Sequence, residues 1–287
     1  MVEARPAVAG DIDAVCDLLH RKMNAEIPVA AWRRLMTYGW LADKPDLGGV
    51  VVDGGRMVGF MGVIYADRHR HGRRFRTGNL TSWYLEKAYR GGGAGMELLR
   101  VATRHADVVY TSFSSTAKAL PLLRLGGLRP LDSERWIWRR RTGQPAPGIA
   151  MVAGGDKVLP LLAVEERRLL ADHGDFAVHP HVLRTARGDC LVLLSIHEKA
   201  GGIATYEALY VGEPDIFAAA AQAFAEILLP AGPAVLAVDK RLLGDRALDG
   251  ETQAITVPRY FRPAPGVGAA DIDMLYSEIE ILNLKLW

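Results

Sequence analysis

Tyr89-Arg90-Gly91-Gly92-Gly93-Ala94-Gly95-Met96 follows the run Leu80-Thr81-Ser82-Trp83-Tyr84-Leu85 and precedes a helical pattern from Met96 to His105. The order reads strand, glycine loop, helix. Glycines let the backbone turn tightly and let a ligand approach the main chain closely. The first helical turn presents unpaired N–H groups and the positive end of the helix dipole. Together these form a seat for a phosphate or pyrophosphate. The expectation is a phosphorylated cofactor bound at this loop.

The spacing narrows the choice. A Walker loop needs Gly-Lys-Ser/Thr at its end, whereas this loop ends Ala94-Gly95-Met96 with no lysine. A dinucleotide fingerprint would need a third glycine where Met96 stands. The pattern that fits is Arg-x-x-Gly-x-Gly, from Arg90, Gly93 and Gly95. It resembles the acyl-CoA loop of the GNAT acyltransferase family, in which backbone amides wrap the CoA pyrophosphate. The surrounding order agrees. Glu3 to Val8 reads as a short strand, followed by a helix capped by Asp11 with Ile12, Val15, Leu18, Leu19 and Met23 at helical spacing. A second helix is expected over Val29 to Trp40. Gly49 to Ile64 reads as a hairpin turning at Asp53-Gly54-Gly55, since type I′ turns need positive φ. After the glycine loop come a strand at Val108 to Phe113 and a helix at Thr116 to Leu125. The resemblance covers roughly residues 3 to 141 and implies an α/β (α+β mixed-sheet) GNAT-like fold.

The resemblance implies an acyl group carried on acetyl-CoA or another acyl-CoA. Its cradle would be Trp83, Leu85, Arg90, Gly91, Gly92, Gly93, Ala94, Gly95 and Met96, with the strand around Trp83 to Leu85 pairing with the pantetheine arm. One family feature is missing. Many members carry a tyrosine near the end of the fourth helix, shortly before a Gly-Phe pair, thought to protonate the departing thiolate. If Gly127-Leu128 stands for that pair, Leu123 stands for the tyrosine, and leucine cannot donate a proton. Tyr84, Tyr110, Ser112, Ser114 and Ser115 are the nearby hydroxyls. Glu86, at the strand end beside the loop, is the first candidate for the base that accepts the amine's proton. His69 and His71 are weaker candidates. Glu86, Tyr84 and Ser114 make the expected catalytic set.

Composition sets wider bounds. With 287 residues, 49% hydrophobic and 24% charged, the chain is expected to fold as one large domain or two ordinary ones. A net charge of +2 favours neither a nucleic-acid nor an anionic-membrane partner. The arginines of Arg68-His69-Arg70-His71-Gly72-Arg73-Arg74 and Arg76 read as a solvated turn or as a rim for an anionic partner. Arg135 to Arg141 alternates apolar and charged residues, as in a final strand with one aromatic face. Cys16 and Cys190 each lie in apolar runs and read as buried small hydrophobes. No metal motif occurs, and no apolar run of about 18 residues suggests a membrane span, so a cytoplasmic location is the expectation.

The second half follows Gly143 to Gly148, a linker-like composition. It reads as a short strand and turn over Met151 to Asp156, an amphipathic helix over Lys157 to His173, and strands at Asp189 to Lys199 and Gly201 to Val211 joined through Ala200-Gly201-Gly202. A helix from Ile216 to Leu229, a strand at Ala234 to Val238 and another over Met274 to Leu284 complete it. Tyr206 to Val211, a turn and the next helix repeat the order of the glycine-loop region. The loop is replaced by Gly212-Glu213-Pro214-Asp215, which adds two carboxylates and removes an amide donor. A degenerate GNAT-like copy that binds no CoA and an unrelated α+β domain both fit. The expected domains are 1–142 and 149–287; a tandem pair would let the second close the substrate cleft. The expected function is acyl transfer to an amine of a small molecule or sugar. A non-catalytic acyl-CoA sensor, and an enzyme charged by acyl carrier protein docked at Arg68 to Arg76, stay open beside it.

Overall fold

The computed structural model describes residues 2–70, 72–144, 146–199, 201–244 and 246–285. Its elements run β1 (Val2–Pro6), α1 (Ile12–Leu18), α2 (Val29–Thr37), β2 (Gly48–Asp53), β3 (Arg56–Arg70), β4 (Arg73–Leu85), α3 (Ala94–Ala102), β5 (Val108–Ser112), α4 (Leu120–Leu125) and β6 (Arg129–Trp138). They continue with β7 (Ala150–Ala153), α5 (Gly155–Val158), α6 (Val164–Asp172), β8 (His179–Thr185), β9 (Gly188–Lys199), β10 (Ile203–Val211), α7 (Pro214–Leu228), β11 (Ala234–Asp239), β12 (Glu251–Arg262) and α8 (Glu278–Ile281). This is a mixed α/β fold in two compact units.

The first unit comprises Met1–Leu131, Arg259–Gly268 and Tyr276–Leu284. Its strand order is β1-β2-β3-β4-β5, closed by the C-terminal end of β12. Neighbours are antiparallel except for β4 and β5, which α3 joins as a parallel pair. The β2–β3 turn is Gly54-Gly55 with φ of 56° and 84°, as the hairpin reading requires. Leu98, Leu99 and Ala102 of α3 lie at helical spacing and bury against Val51, Met61, Val63, Leu80 and Tyr110.

The second unit comprises Asp132–Pro258, Ala269–Leu275 and Lys285–Trp287. Its order, β6-β11-β10-β9-β8-β7, is the first unit's order in new strands. β10 and β11 are its parallel pair, joined by α7. Phe217, Ala221, Phe224 and Leu228 of α7 pack with Leu183, Val192, Leu194 and Leu236. The cut differs from the 1–142 and 149–287 reading because β6 ladders with β11, pairing Trp138 with Leu236 and Arg135 with Asp239. Each unit completes its sheet with a strand that follows the other unit's fifth strand in sequence.

Several local expectations change. Met274 to Leu284 is not a strand: Ser277 accepts from the Ile279 amide, Glu280 reaches back to the Ser277 amide, and this capping box starts α8. Lys157 to His173 is not one helix but α5, a short 3-10 turn and α6, because Pro160 interrupts the ladder. α2 stops at Thr37 because Tyr38 turns to extended backbone, its hydroxyl accepting from the Tyr65 amide at 2.8 Å. Asp11 stands at the N-cap of α1 but makes no side-chain capping bond there; it accepts instead from the Val8 amide at 2.9 Å and pairs with Arg5. Arg135 does not face water: it is buried and donates twice to Gln253 Oε1, at 2.8 and 2.6 Å. Cys16 and Cys190 are buried free thiols. Pro145 of the linker and Ala200 of the β9–β10 turn lie outside the described residues.

The linker-like segment is tied down. Glu226 on α7 accepts backbone N–H groups from Arg141 (3.0 Å), Thr142 (3.0 Å) and Gly143 (2.7 Å), and the Gln222 amide at 2.7 Å. Burial pushes its pKa up, but those donors outweigh burial and hold it at about 2. Glu226→Gln should therefore cost about 1–3 kcal/mol at neutral pH, read by chemical denaturation. A depressed pKa stabilises fully above the ordinary value of 4.5 and fades as pH falls toward about 2. The gap between parent and variant should shrink over that acid range; equal stability at neutral pH would remove the role.

Candidate functional site

The parallel ladder between β4 and β5 is short. It pairs Arg76 with Val108, Thr77 with Val109, Gly78 with Tyr110 and Asn79 with Thr111, and then stops. Beyond that point β5 ladders with β12, Ser112 facing Tyr260, while β4 continues beside β3 to Leu85. Residues 80–85 thus have a strand partner on the β3 side alone among the described pairings. A bulge marks the divergence: Phe60 faces Tyr84 but Gly62 faces Thr81, and Ser82 sits at φ 53°. A non-glycine residue at positive φ costs energy and bends the strand. The resulting edge is one an extended chain can pair with by backbone hydrogen bonds.

The glycine loop stands at the end of that edge. Gly91 and Gly93 adopt φ of 88° and 87°, and Gly93 caps α3 in the left-handed conformation. A Cβ built at Gly91, Gly92 or Gly93 would meet nothing within 4 Å. These glycines therefore leave open space in front of the main chain rather than fitting against neighbouring protein. The α3 N-terminus supplies amides and dipole to that space. Arg90 turns back on the strand: its Nε donates to the Leu85 carbonyl at 2.7 Å and its guanidinium lies 5.8 Å from the centre of the Tyr84 ring. Trp83 and Tyr84 are half-buried on the open stretch and Leu85 is buried; Ala94, Gly95 and Met96 are half-buried in the first turn of α3.

Glu86 belongs to a network behind the loop. Arg56 donates to Glu86 at 2.7 Å and to the Tyr89 hydroxyl at 3.2 Å, and that hydroxyl donates to Asp53 at 2.9 Å. The network fastens the turn before the glycine loop to the β2–β3 hairpin. Arg56 also lowers the Glu86 pKa, which makes its carboxylate a weaker proton acceptor. Position alone made Glu86 the expected base; its partner argues for holding the loop instead. Leu123 is fully buried in the first unit's core. His69 is exposed on β3, and His71 lies outside the described residues. Of the basic turn, Arg68 is buried over the Tyr276 ring at 4.5 Å, Arg76 pairs with Asp67, and Arg73 donates to the Gly266 carbonyl. Those engagements weaken the case for a carrier-docking face.

Ser114 lies two residues past β5 and donates to Glu278 Oε1 at 2.6 Å. Glu278 is buried, and its amide donates to Asn79 Oδ1 at 3.3 Å. Asn79 in turn donates to Thr111 at 3.1 Å, at the last rung before the strands part. Sequence reading missed Glu278 because Met274 to Leu284 passed for a strand; Ser277-x-x-Glu280 is the signal that marks a helix start there. Among the described residues no group of three His, Cys, Asp or Glu is placed to hold a metal ion. Among the described residues no helix is long and apolar enough to cross a membrane.

The second unit has the same divergence with a different outcome. Its ladder ends at Glu207–Ala237, and β10 bulges between Ala208 and Tyr210. There the chain itself takes the open edge, the Met274 amide donating to the Leu209 carbonyl at 2.9 Å. At the start of α7 the Gly212 amide is used by the Leu191 carbonyl, the Glu213 amide points at Cys190 Sγ, and Pro214 has none. Asp215 pairs with Arg246. Neither edge nor helix start resembles an anion seat.

The model of the GNAT acetyltransferase family matches residues 12–126. No curated protein matches the sequence. Among solved structures, the chain is similar to a GCN5-related N-acetyltransferase from Anabaena variabilis ATCC 29413, with 12% identity over 91% of this chain and 72% of that one and a TM-score of 0.58. It is also similar to a GCN5-related N-acetyltransferase from Kribbella flavida, with 14% identity over 91% of this chain and 70% of that one and a TM-score of 0.56. At these identities the likeness is one of fold, and it extends through both units.

Gly92 offers a clean test of the seat, since it has neither positive φ nor a neighbour that a side chain would strike. Gly92→Val should leave the melting temperature within about a degree or two, since surface changes away from special features are nearly neutral. It should weaken acetyl-CoA binding at least about tenfold in calorimetry, a cost of about 1.4 kcal/mol. Unchanged affinity would move the pyrophosphate elsewhere. Gly93→Val should also weaken binding, with added strain from φ 87°.

Proposed function

We propose that this protein, whose residues 12–126 match the model of the GNAT acetyltransferase family, transfers an acyl group, most simply acetyl, from acyl-CoA to an amine of a small molecule or sugar. The observation that carries the proposal is the open β4 edge ending at a glycine loop with free space before its backbone. In this reading the pyrophosphate rests on Gly91 to Met96 with Arg90 bracing the loop. The pantetheine arm runs back along Trp83 to Leu85. Tyr84 and Ser114 are the hydroxyls proposed to face the reacting groups. The neutral amine attacks the thioester carbon, the C–S bond breaks, and one amine proton leaves as one is gained by sulfur.

A second reading, a non-catalytic acyl-CoA sensor, is favoured by one observation: Leu123, which stands for the family's proton-donating tyrosine if Gly127-Leu128 stands for its Gly-Phe pair, is a buried leucine. Thiol release measured with a panel of acyl-CoAs and amines separates the two. Turnover with any amine supports the enzyme; tight binding without turnover supports the sensor.

Binding should saturate at one CoA per chain, because the second unit's edge and helix start are occupied by its own groups. A stoichiometry of two would overturn that part. Glu86→Gln should lower the rate by less than about tenfold, whereas loss of a general base costs about 10²–10⁴-fold. A fall of that larger size would return the base role to Glu86.

A further inference from the structure

The geometry points to Ser114 and Glu278 as a proton relay for the acyl transfer proposed above. The exposed Ser114 hydroxyl accepts the proton released by the attacking amine while passing its own proton to Glu278 Oε1. The reverse transfer then delivers a proton through Ser114 to the CoA sulfur as the C–S bond breaks. Amine, hydroxyl and carboxyl exchange one proton, so the balance closes without another reactant. The relay rests on the acyl-CoA reading of the β4 edge.

Three observations converge on it. First, direction: a ligand whose pyrophosphate sits at the glycine loop, after Leu85, extends back along β4 toward residue 80. Its thioester end therefore arrives where β4 and β5 part, at the Asn79–Thr111 rung. Glu278 is fastened to that rung through its amide on Asn79. Second, access: Ser114 is exposed, whereas Glu278 is 1% exposed and meets the outside through the hydroxyl at 2.6 Å. Third, the carboxyl is incompletely satisfied. Glu278 Oε2 is buried with no hydrogen-bond partner among the described residues. A buried carboxylate left half-satisfied is costly, and such groups persist where chemistry uses them.

Burial raises the Glu278 pKa to about 7, with the Ser114 hydroxyl, the backbone amides of Glu278 and Ser114 and the charge of Arg259 pulling the other way. A carboxyl near neutrality can both take and return a proton, as a relay must. The charges on the elements around it are Arg259 on β12, Arg33 and Arg34 on α2, Arg68 on β3 over the Tyr276 ring, and Glu280 on α8 itself. Arg33 is committed to Asp13. The relay also answers the missing tyrosine at Leu123, since one hydroxyl serves both the amine and the sulfur.

The test uses the full chain, acetyl-CoA and the best amine from the panel. Ser114→Ala and Glu278→Gln should each lower kcat by about 10²–10⁴-fold. Acetyl-CoA affinity in calorimetry should stay within about threefold. The double variant should be no slower than the worse single one, because the two residues act as a unit. The limb of the kcat profile that rises near neutrality should vanish in Glu278→Gln, and Ser114→Thr should recover part of the rate. A kcat within about threefold of the parent in Ser114→Ala would overturn the relay, as would fully additive losses. If Glu278→Gln does not fold, the exposed Ser114 variants decide. A parent that binds acetyl-CoA but turns over no amine overturns both relay and enzyme. A parent that turns over normally while its Ser114 variants do too overturns the relay alone.

Discussion

The parting of β4 from β5 after one short parallel ladder is the constraint on which the candidate site depends. The bulge at Ser82, with its positive φ, turns the last residues of β4 away from β5 and leaves them laddered on one side. A sheet edge inside a domain is an unusual feature, since unpaired backbone groups are costly unless something binds them. The glycine loop lies at the end of this edge, and α3 begins immediately after it. Strand edge, loop amides and helix dipole therefore lie together, which is the arrangement the proposed acyl-CoA site uses. The Arg56–Glu86–Tyr89–Asp53 network sets the loop's position by fastening the turn before it.

The second unit shows how little is needed to change the outcome of one topology. Strand order, parallel pair, crossover helix and bulge all recur. Yet its own Met274 amide bonds the β10 edge at Leu209, and the turn before α7 spends its amides on Leu191 and Cys190. These backbone groups, left open in the first unit, are engaged internally in the second. The alanine-rich α7 instead buries its face against the sheet and uses Glu226 to hold the segment that follows β6.

Three carboxylates illustrate how environment divides roles. Glu86 and Glu226 are surrounded by donors and held toward ionisation, by an arginine in one case and by backbone amides in the other. Both fix backbone. Glu278 accepts from the Ser114 hydroxyl and draws on nearby backbone amides, but deep burial outweighs them and its proton affinity rises instead. A carboxylate whose donors outweigh burial anchors structure, while one whose burial outweighs its donors keeps a raised proton affinity.

Much of the first unit was legible in local sequence. Gly54-Gly55, the glycine run before α3 and the helical spacing of Leu98, Leu99 and Ala102 each carry their own conformational demand over a few residues, so their reading needs no partner. The parallel between the β4 and β10 regions was legible for the same reason. What the sequence could not supply was pairing between distant segments. β12 was not read as a strand, and neither the ladder of β6 with β11 nor the burial of Arg135 was legible, because register and burial depend on which strand lies alongside. Glu86 was favoured for its proximity along the chain, whereas Glu278, 164 residues beyond Ser114, reaches that hydroxyl only after folding. Local stereochemistry determines turns, caps and amphipathic faces. The proton affinity of a carboxyl and the openness of a strand edge are set by neighbours that only the tertiary structure brings into contact.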